Sequence, residues 1–269
     1  MASFKEMEHQ GWSDKARFYD DHFASVTRQA IRPILAGLGD LSGRSLLDIC
    51  CGTGDLAEAA AQDGAQVTGV DFADPMVEIA RVRVPSARFE AGDAEKLGFD
   101  DHSFDLATCA FGLWHVGEPD KAISEAARVL RPGGTYGYTA WLPPDEGWDM
   151  MGLLMAAINE HGTMDVDLPP APPPFRFARQ TEAEEAFRSS GFGSVNFQKC
   201  MAIWTGRTGD ELIELLYKGI VRAPMLIEAQ EPRARQAIID TIRSGAEAFR
   251  TGDEIRMRWP YLAVFARKH

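Results

Sequence analysis

The run LLDICCGTGDLA at residues 46–57 joins an apolar stretch to a glycine-bracketed turn and then to a helix start, the arrangement of a nucleotide-type ligand site. Leu46, Leu47 and Ile49 read as buried strand. Gly52 and Gly54 bracket a turn whose backbone a ligand can approach closely, and residues 55–61 read as helix. Asp48 discriminates between ligands. A carboxylate at the strand end, four positions before Gly52, suits a cationic amino-acid group and repels a pyrophosphate.

Around this junction the chain alternates. A helical, aromatic-rich stretch at 13–38, bent or restarted by Pro33, precedes strand-like segments at 45–50, 66–71, 87–91, 104–110 and 135–141, with helical segments at 55–63, 75–83 and 120–130 between them. Such alternation implies crossover connections and a mostly parallel sheet covered on both faces. Ligands on such sheets sit beyond the carboxyl ends of the strands, where the loops after Asp48, Asp71, Ala91 and Ala110 converge. After Trp141 the prolines at 143–144 and the run LPPAPPPF at 168–175 flank a helix at 147–160, which reads as an insertion, the proline run serving as a stiff connector. A helix at 181–189 with Thr181 as N-cap, a strand at 195–204, helices at 209–222 and 231–249 and a last strand at 255–266 complete the chain. The expected fold is thus α/β: a Rossmann-like, doubly wound, mostly parallel seven-stranded sheet with an antiparallel C-terminal edge strand and a helical cap in its last hairpin.

Composition narrows the function. With 45% hydrophobic residues in 269 the chain can bury a sizeable core, and a formal charge of -12 repels polyanions and argues against nucleic acid. Cys50, Cys51 and Cys109 fall in apparent core strands, where cysteine acts as a small hydrophobe, and with no CxxC pair or His cluster nearby no metal site is expected. The start lacks a basic segment followed by an apolar one, and no apolar run is long enough to span a bilayer, so a cytoplasmic protein is expected.

Five motifs in order, LLDICCGTGDLA, VTGVDFADPMVEIAR, FEAGDAEKLGF, FDLATCAFGLWHV and EAARVLRPGGTYGYTAW, resemble the class I S-adenosylmethionine-dependent methyltransferases, in particular the small-molecule branch that includes the ubiquinone and menaquinone C-methyltransferases. The resemblance covers roughly residues 12–141. It implies S-adenosylmethionine as cofactor, S-adenosylhomocysteine as product and a small-molecule acceptor, quinone-like or from secondary metabolism, with no nucleic-acid partner, no membrane span and a homodimer left open. It further implies that the backbone around Asp48, Cys51, Gly52 and Gly54 holds the methionine end, its N–H groups facing the carboxylate. Asp71, 17 positions beyond Gly54, accepts from the ribose hydroxyls, and Phe72 and Met76 line the adenine. Asp93 accepts from the adenine amino group and the Ala94 N–H donates to a ring nitrogen. Ala110 and Phe111 face the methyl group, and Tyr19 resembles the family's amino-terminal aromatic that closes over the cofactor. The chain departs from the pattern in two places. Cys50 replaces the usual first glycine of the turn, and Trp114 and His115 stand where the quinone enzymes carry an Arg-Asn pair, so quinone specificity does not carry over.

Methyl transfer from a sulfonium is an in-line displacement that depends on position and desolvation, and a general base is needed only when the acceptor must lose a proton. His115, just after the fourth strand, is the first candidate for that base or for orienting the acceptor; His22 and His161 are weaker. The many aromatic and methionine side chains outside the core motifs favour an apolar or aromatic acceptor, with oxygen or carbon as the methylated atom. The expected division is an amino-terminal helical cover at 1–40, a cofactor-binding core at 41–142, an insertion at 143–180 contributing to the substrate cap, and a carboxyl-terminal part at 181–269 with cap helices at about 207–250. Two other readings stay open: an NAD(P)-dependent oxidoreductase, because Gly52, Gly54 and Ala57 satisfy a relaxed GxGxxA pattern, and a non-catalytic cofactor-binding sensor or interaction protein.

Overall fold

The computed structural model describes residues 2–269. α1 (Phe4–His22), α2 (Ala24–Thr27), a 3-10 turn and α3 (Ile31–Leu38) lead into an alternating half made of β1 (Ser45–Ile49), α4 (Asp55–Gln62), β2 (Gln66–Asp71), α5 (Asp74–Arg83), β3 (Arg88–Ala91), β4 (Phe104–Ala110), α6 (Pro119–Val129) and β5 (Leu130–Trp141). These five strands pair in parallel. The second half adds α7 (Asp149–His161), α8 (Gln180–Ser189), β6 (Phe192–Gly206), α9 (Gly209–Gly219), α10 (Arg222–Glu228), α11 (Pro232–Gly245), the two-residue β7 (Arg250–Thr251) and β8 (Glu254–Lys268). The sheet order is β3-β2-β1-β4-β5-β8-β6, with β7 paired to β8. The order reverses between β1 and β4, and at such a switch point the loops leaving the two strands diverge and open a crevice.

The expected α/β sheet is present, with one correction at its far side. β8 is antiparallel, but it lies between β5 and β6, so β6 is the edge. Burial explains the order: Trp259 to Val264 are buried without interruption, as a strand covered on both faces must be, whereas β6 alternates along most of its length. The segment between β6 and β8 holds α9, α10 and α11.

Four helix boundaries also differ from the sequence reading. α1 begins at Phe4 and not at residue 13, because Ser3 and Glu6 form a reciprocal capping box: the Glu6 N–H donates to Ser3 Oγ (3.2 Å) and the Ser3 N–H to Glu6 Oε2 (2.7 Å). The chain breaks at Phe23, ahead of Pro33, which lies in the first turn of α3 where a missing N–H costs no hydrogen bond. Thr181 is not a cap. The extended Arg179 stands at the cap position and α8 starts at Gln180, which leaves Thr181 inside its first turn. The segment expected as one helix at 209–222 stops at Gly219, where the extended backbone of Ile220 separates α9 from α10.

The apolar residues form three buried groups. One, rich in indoles, joins α1, α7 and the cap helices to the site face of the sheet; a second packs α6 and α8 on the opposite face; the third lies under α3, α4 and α5. In the second, Tyr138 and Phe187 stack at 5.1 Å.

Candidate functional site

The loops leaving β1, β2, β3 and β4 border a crevice, with an adjoining recess beside the β1 turn. Tyr19, Thr27, Cys50, Gly52 and Ala110 line both, so the recess adjoins the crevice across these residues.

The β1 turn passes through left-handed backbone three times, at Cys50 (φ 57°), Gly52 (52°) and Gly54 (86°). Glycine takes this conformation at no steric cost, which accounts for the family's preference at the position Cys50 occupies. Cys50 is a turn residue, because β1 ends at Ile49. The expected backbone donors need correcting. The Cys51 N–H donates to Val70 O (3.0 Å), the Gly54 N–H to Cys51 O (3.0 Å) and the Gly52 N–H to Asp71 Oδ2 (2.9 Å), so all three are engaged within the protein. N–H groups without an intrahelical acceptor lie just beyond, at the start of α4.

Asp71 organises the turn that follows β2. Besides Gly52 it accepts from the Ala73 N–H at Oδ1 (2.9 Å), tying the β1 and β2 loops together. Burial pushes its carboxyl above the ordinary range, and those two backbone hydrogen bonds oppose the rise. Asp48 is 1% exposed and lines the recess. Thr108 Oγ1 donates to its Oδ1 (2.8 Å), while Oδ2 is buried with no partner. Burial raises Asp48 to about 7, the hydrogen bond from Thr108 acting in the other direction. A buried carboxylate oxygen without a donor is costly, and a cationic guest in the recess would satisfy it.

At the other end Phe72, Met76, Asp93 and Ala94 line the crevice. Asp93 is bound on both oxygens, accepting from Lys5 Nζ at Oδ2 (2.6 Å) and from the Glu95 N–H at Oδ1 (3.0 Å). Ala110 and Phe111 form the wall after β4, and the Phe111 ring stacks on Trp141 at 3.8 Å. Trp114 turns away from that wall and packs edge-on against Trp148 and Phe175. His115 lines the crevice. His161, bonded to Thr241 (2.8 Å), and His22 do not.

α1 closes the space from above with one face of its helix. Lys5, Glu8, Trp12 and Tyr19 recur at helical spacing along that face. Lys5 reaches Asp93 and also Glu95 Oε2 (2.7 Å); Glu8 Oε2 lies 2.8 Å from His115 Nδ1; Trp12 sets its edge against His115 at 4.8 Å between centroids. The Tyr19 hydroxyl bonds Thr27 Oγ1 (2.8 Å), and burial pushes its phenol up to about 12. A charged cluster anchors the helix at its other end: Arg28 pairs with Asp20 and Asp55, and Arg83 with the same two carboxylates. Lys5, Glu8, Thr27, Glu95 and Thr108 escaped the sequence reading. The Ser3–Glu6 capping box was the available signal, because a helix starting there puts Lys5 and Glu8 on the face that Trp12 and Tyr19 share.

Among the described residues no group of His, Cys, Asp and Glu is arranged to hold a metal ion, and no helix is long and apolar enough to cross a membrane.

Residues 47–137 match the family model for a methyltransferase domain. The chain is 42% identical over 108 residues to a demethylmenaquinone methyltransferase of Renibacterium salmoninarum, covering 40% of this chain and 46% of that protein. It is 35% identical over 141 residues to one from Staphylococcus aureus, covering 48% and 58%. The chain therefore spans about half the length of the curated relatives it matches. Among solved structures, the YcgJ protein of Bacillus subtilis superposes with a TM-score of 0.60 over 90% of this chain and 98% of that one, at 21% identity, a likeness of fold.

Proposed function

We propose that this chain, which carries a class I methyltransferase domain, transfers the methyl group of S-adenosylmethionine to a small, apolar or aromatic acceptor, with O- or C-methylation favoured and S-adenosylhomocysteine as product. The observation that carries the reading is Asp48: a buried carboxylate with one oxygen unpartnered, in the recess that adjoins the crevice lined by Asp71.

The residues fit that cofactor. Asp48 would pair the ammonium of the methionine end, Asp71 would accept from the ribose with lone pairs its two backbone donors leave free, and Phe72, Met76, Asp93 and Ala94 would enclose the adenine. Bound there, S-adenosylmethionine supplies a methyl group activated by the positive sulfur. The chain's own part is to hold the acceptor in line with that methyl and to keep water out, which in intramolecular models supplies about 7–11 kcal/mol. Tyr19 and the face of α1 cover the crevice, and Ala110 and Phe111 form the wall where the acceptor meets the methyl group. His115 takes the role of base or orienting group. In this reading residues 1–40 cover the site, 41–142 bind the cofactor, and 143–180 with the helices at about 207–250 shape the acceptor chamber.

Aromatic side chains support the acceptor class. Trp114, Trp141, Trp148 and Phe175 pack together beyond Phe111, and Trp12, which lines the crevice, has a buried indole N–H without a partner, a donor suited to an oxygen-bearing aromatic ring. The relatives at 42% and 35% identity are named demethylmenaquinone methyltransferases, a name that gives a small molecule as their acceptor. A net charge of -12 supports a small molecule over nucleic acid. A nicotinamide dinucleotide is disfavoured, since Asp48 would repel its pyrophosphate.

Calorimetry with S-adenosylhomocysteine and NAD, followed by an assay of S-adenosylhomocysteine release over a panel of phenols and quinols, tests the proposal. Binding of the first, none of the second, and turnover of at least one acceptor are expected. Tight NAD binding without S-adenosylhomocysteine binding would reverse the assignment, and cofactor binding without turnover on any acceptor would favour a sensor.

A further inference from the structure

Glu8 is the one charged side chain among the buried residues of α1. It is 1% exposed among Phe4, Met7, Trp12 and Ala16 as the other buried residues of α1, and packing alone would be served as well by leucine or methionine. Its single polar partner among the described residues is His115, whose Nδ1 lies 2.8 Å from Oε2. A charge buried this deeply is costly unless it is paired, so the position has a use for the imidazole. His115 comes from the turn after β4, is braced by the edge of Trp12, and lines the crevice beside Ala110 and Phe111, where the acceptor would meet the methyl group.

We propose that Glu8 is a positioning residue that makes His115 a general base, and that the acceptor is therefore one that surrenders a proton as it is methylated, a phenol or an enol. The inference deepens the methyltransferase reading and rests on it. In this assignment Glu8 Oε2 accepts from the Nδ1–H, and that tautomer keeps its lone pair on Nε2, for which the described residues supply no protein partner. The acceptor hydroxyl gives its proton to Nε2 while its oxygen forms the new O–C bond. The C–S bond breaks in the same step and its electron pair stays on sulfur. The products are a methyl ether, a thioether and an imidazolium paired with Glu8, which returns its proton to water. Because Glu8 belongs to α1 and His115 to the sheet loops, the base is complete only while α1 is seated over the crevice.

The test uses the full-length chain labelled with ¹⁵N, free and with S-adenosylhomocysteine. Imidazole nitrogen correlations should show His115 as the Nδ1–H tautomer in the wild type. In Glu8→Gln that tautomer should lose its dominance, because the amide N–H can donate to Nδ1. Methylation of 1-naphthol is then compared with that of 1-naphthylamine, whose lone pair needs no prior loss of a proton. Glu8→Gln should lower kcat on the naphthol by about 100- to 10,000-fold, with KM and S-adenosylhomocysteine affinity within about threefold, and should change the naphthylamine rate by no more than that; Glu8→Asp should recover part of the naphthol rate. An Nε2–H tautomer in the wild type, an unchanged tautomer in Glu8→Gln, or equal loss on both compounds would overturn the proposal. If neither compound is methylated, the tautomer measurement decides. Failure to bind S-adenosylhomocysteine would sink the methyltransferase reading instead, and the tautomer in the free protein would still judge Glu8.

Discussion

Replacing Asp48 by asparagine should weaken cofactor binding and stabilise the free protein at the same time. The climb of the Asp48 carboxyl from 3.8 to about 7 on folding corresponds to roughly 4 kcal/mol at 1.36 kcal/mol per pH unit. The sign follows from proton counting: between pH 4 and 7 the folded chain holds a proton that the unfolded chain has lost, so stability falls as pH rises through that window and stays low above it. Asparagine keeps an acceptor for Thr108 and removes the buried charge. The free Asp48→Asn protein should therefore melt several degrees higher than the wild type at pH 8, at about 2–4 °C per kcal/mol for a chain of this size. The gain should shrink by more than half at pH 5, where the wild-type group is already protonated. Binding should move the other way. Loss of one partner from a buried ion pair costs about 3–5 kcal/mol, a factor of roughly 100 to 5,000 in the Kd for S-adenosylhomocysteine. Wild-type affinity should also fall about tenfold for each pH unit below about 7, as the carboxylate takes up a proton, and the variant should lack that slope. Differential scanning calorimetry from pH 5 to 8 and titration calorimetry over the same range measure both arms. A variant that binds as tightly as the wild type, or that melts lower at pH 8, would refute the idea that this carboxylate is held ready for a cation.

Other substitutions probe the rest of the crevice. Asp71→Ala should weaken S-adenosylhomocysteine binding by about 100-fold or more, from charge-assisted hydrogen bonds of about 1.5–3 kcal/mol each, with the fold retained by circular dichroism; a Kd within threefold of the wild type would disprove the ribose assignment. Cys50→Val places a β-branched side chain at φ 57° and should cost about 1–3 kcal/mol, read as a melting point several degrees lower, whereas Cys50→Gly should leave cofactor affinity within threefold. Equal melting points for the two would mean that backbone conformation is not what selects the residue there. Asp20→Asn loosens the anchor that Arg28 and Arg83 provide and should speed amide exchange along α1 about fivefold, the equivalent of about 1 kcal/mol for partly exposed pairs; unchanged exchange would show that packing alone seats the helix.

Much of this site was legible in the chain itself, because its parts are local. The turn after β1, the carboxylate that ends β2 and the wall after β4 each lie within a strand-turn-helix or strand-turn segment, and alternation of strand and helix brings those segments to one end of a parallel sheet. The order of the last two strands was misread: the C-terminal strand was expected at the edge, and the edge is β6, because a strand at the end of the chain can still be inserted between two earlier ones when pairing, not chain order, decides its neighbours.

What the sequence by itself determined was therefore the kind of sheet, the place of the crevice and the residues that each neighbouring loop brings to it. Tertiary structure alone decided which backbone donors were already engaged, that the second oxygen of Asp48 has no donor, and that Glu8 meets His115 across 107 positions of chain. Periodicity reports which face of an element is buried and carries no information on what it is buried against; that depends on how α1 settles over the sheet, which the charges around Asp20 and the packing of Trp12 fix only once the whole chain has folded.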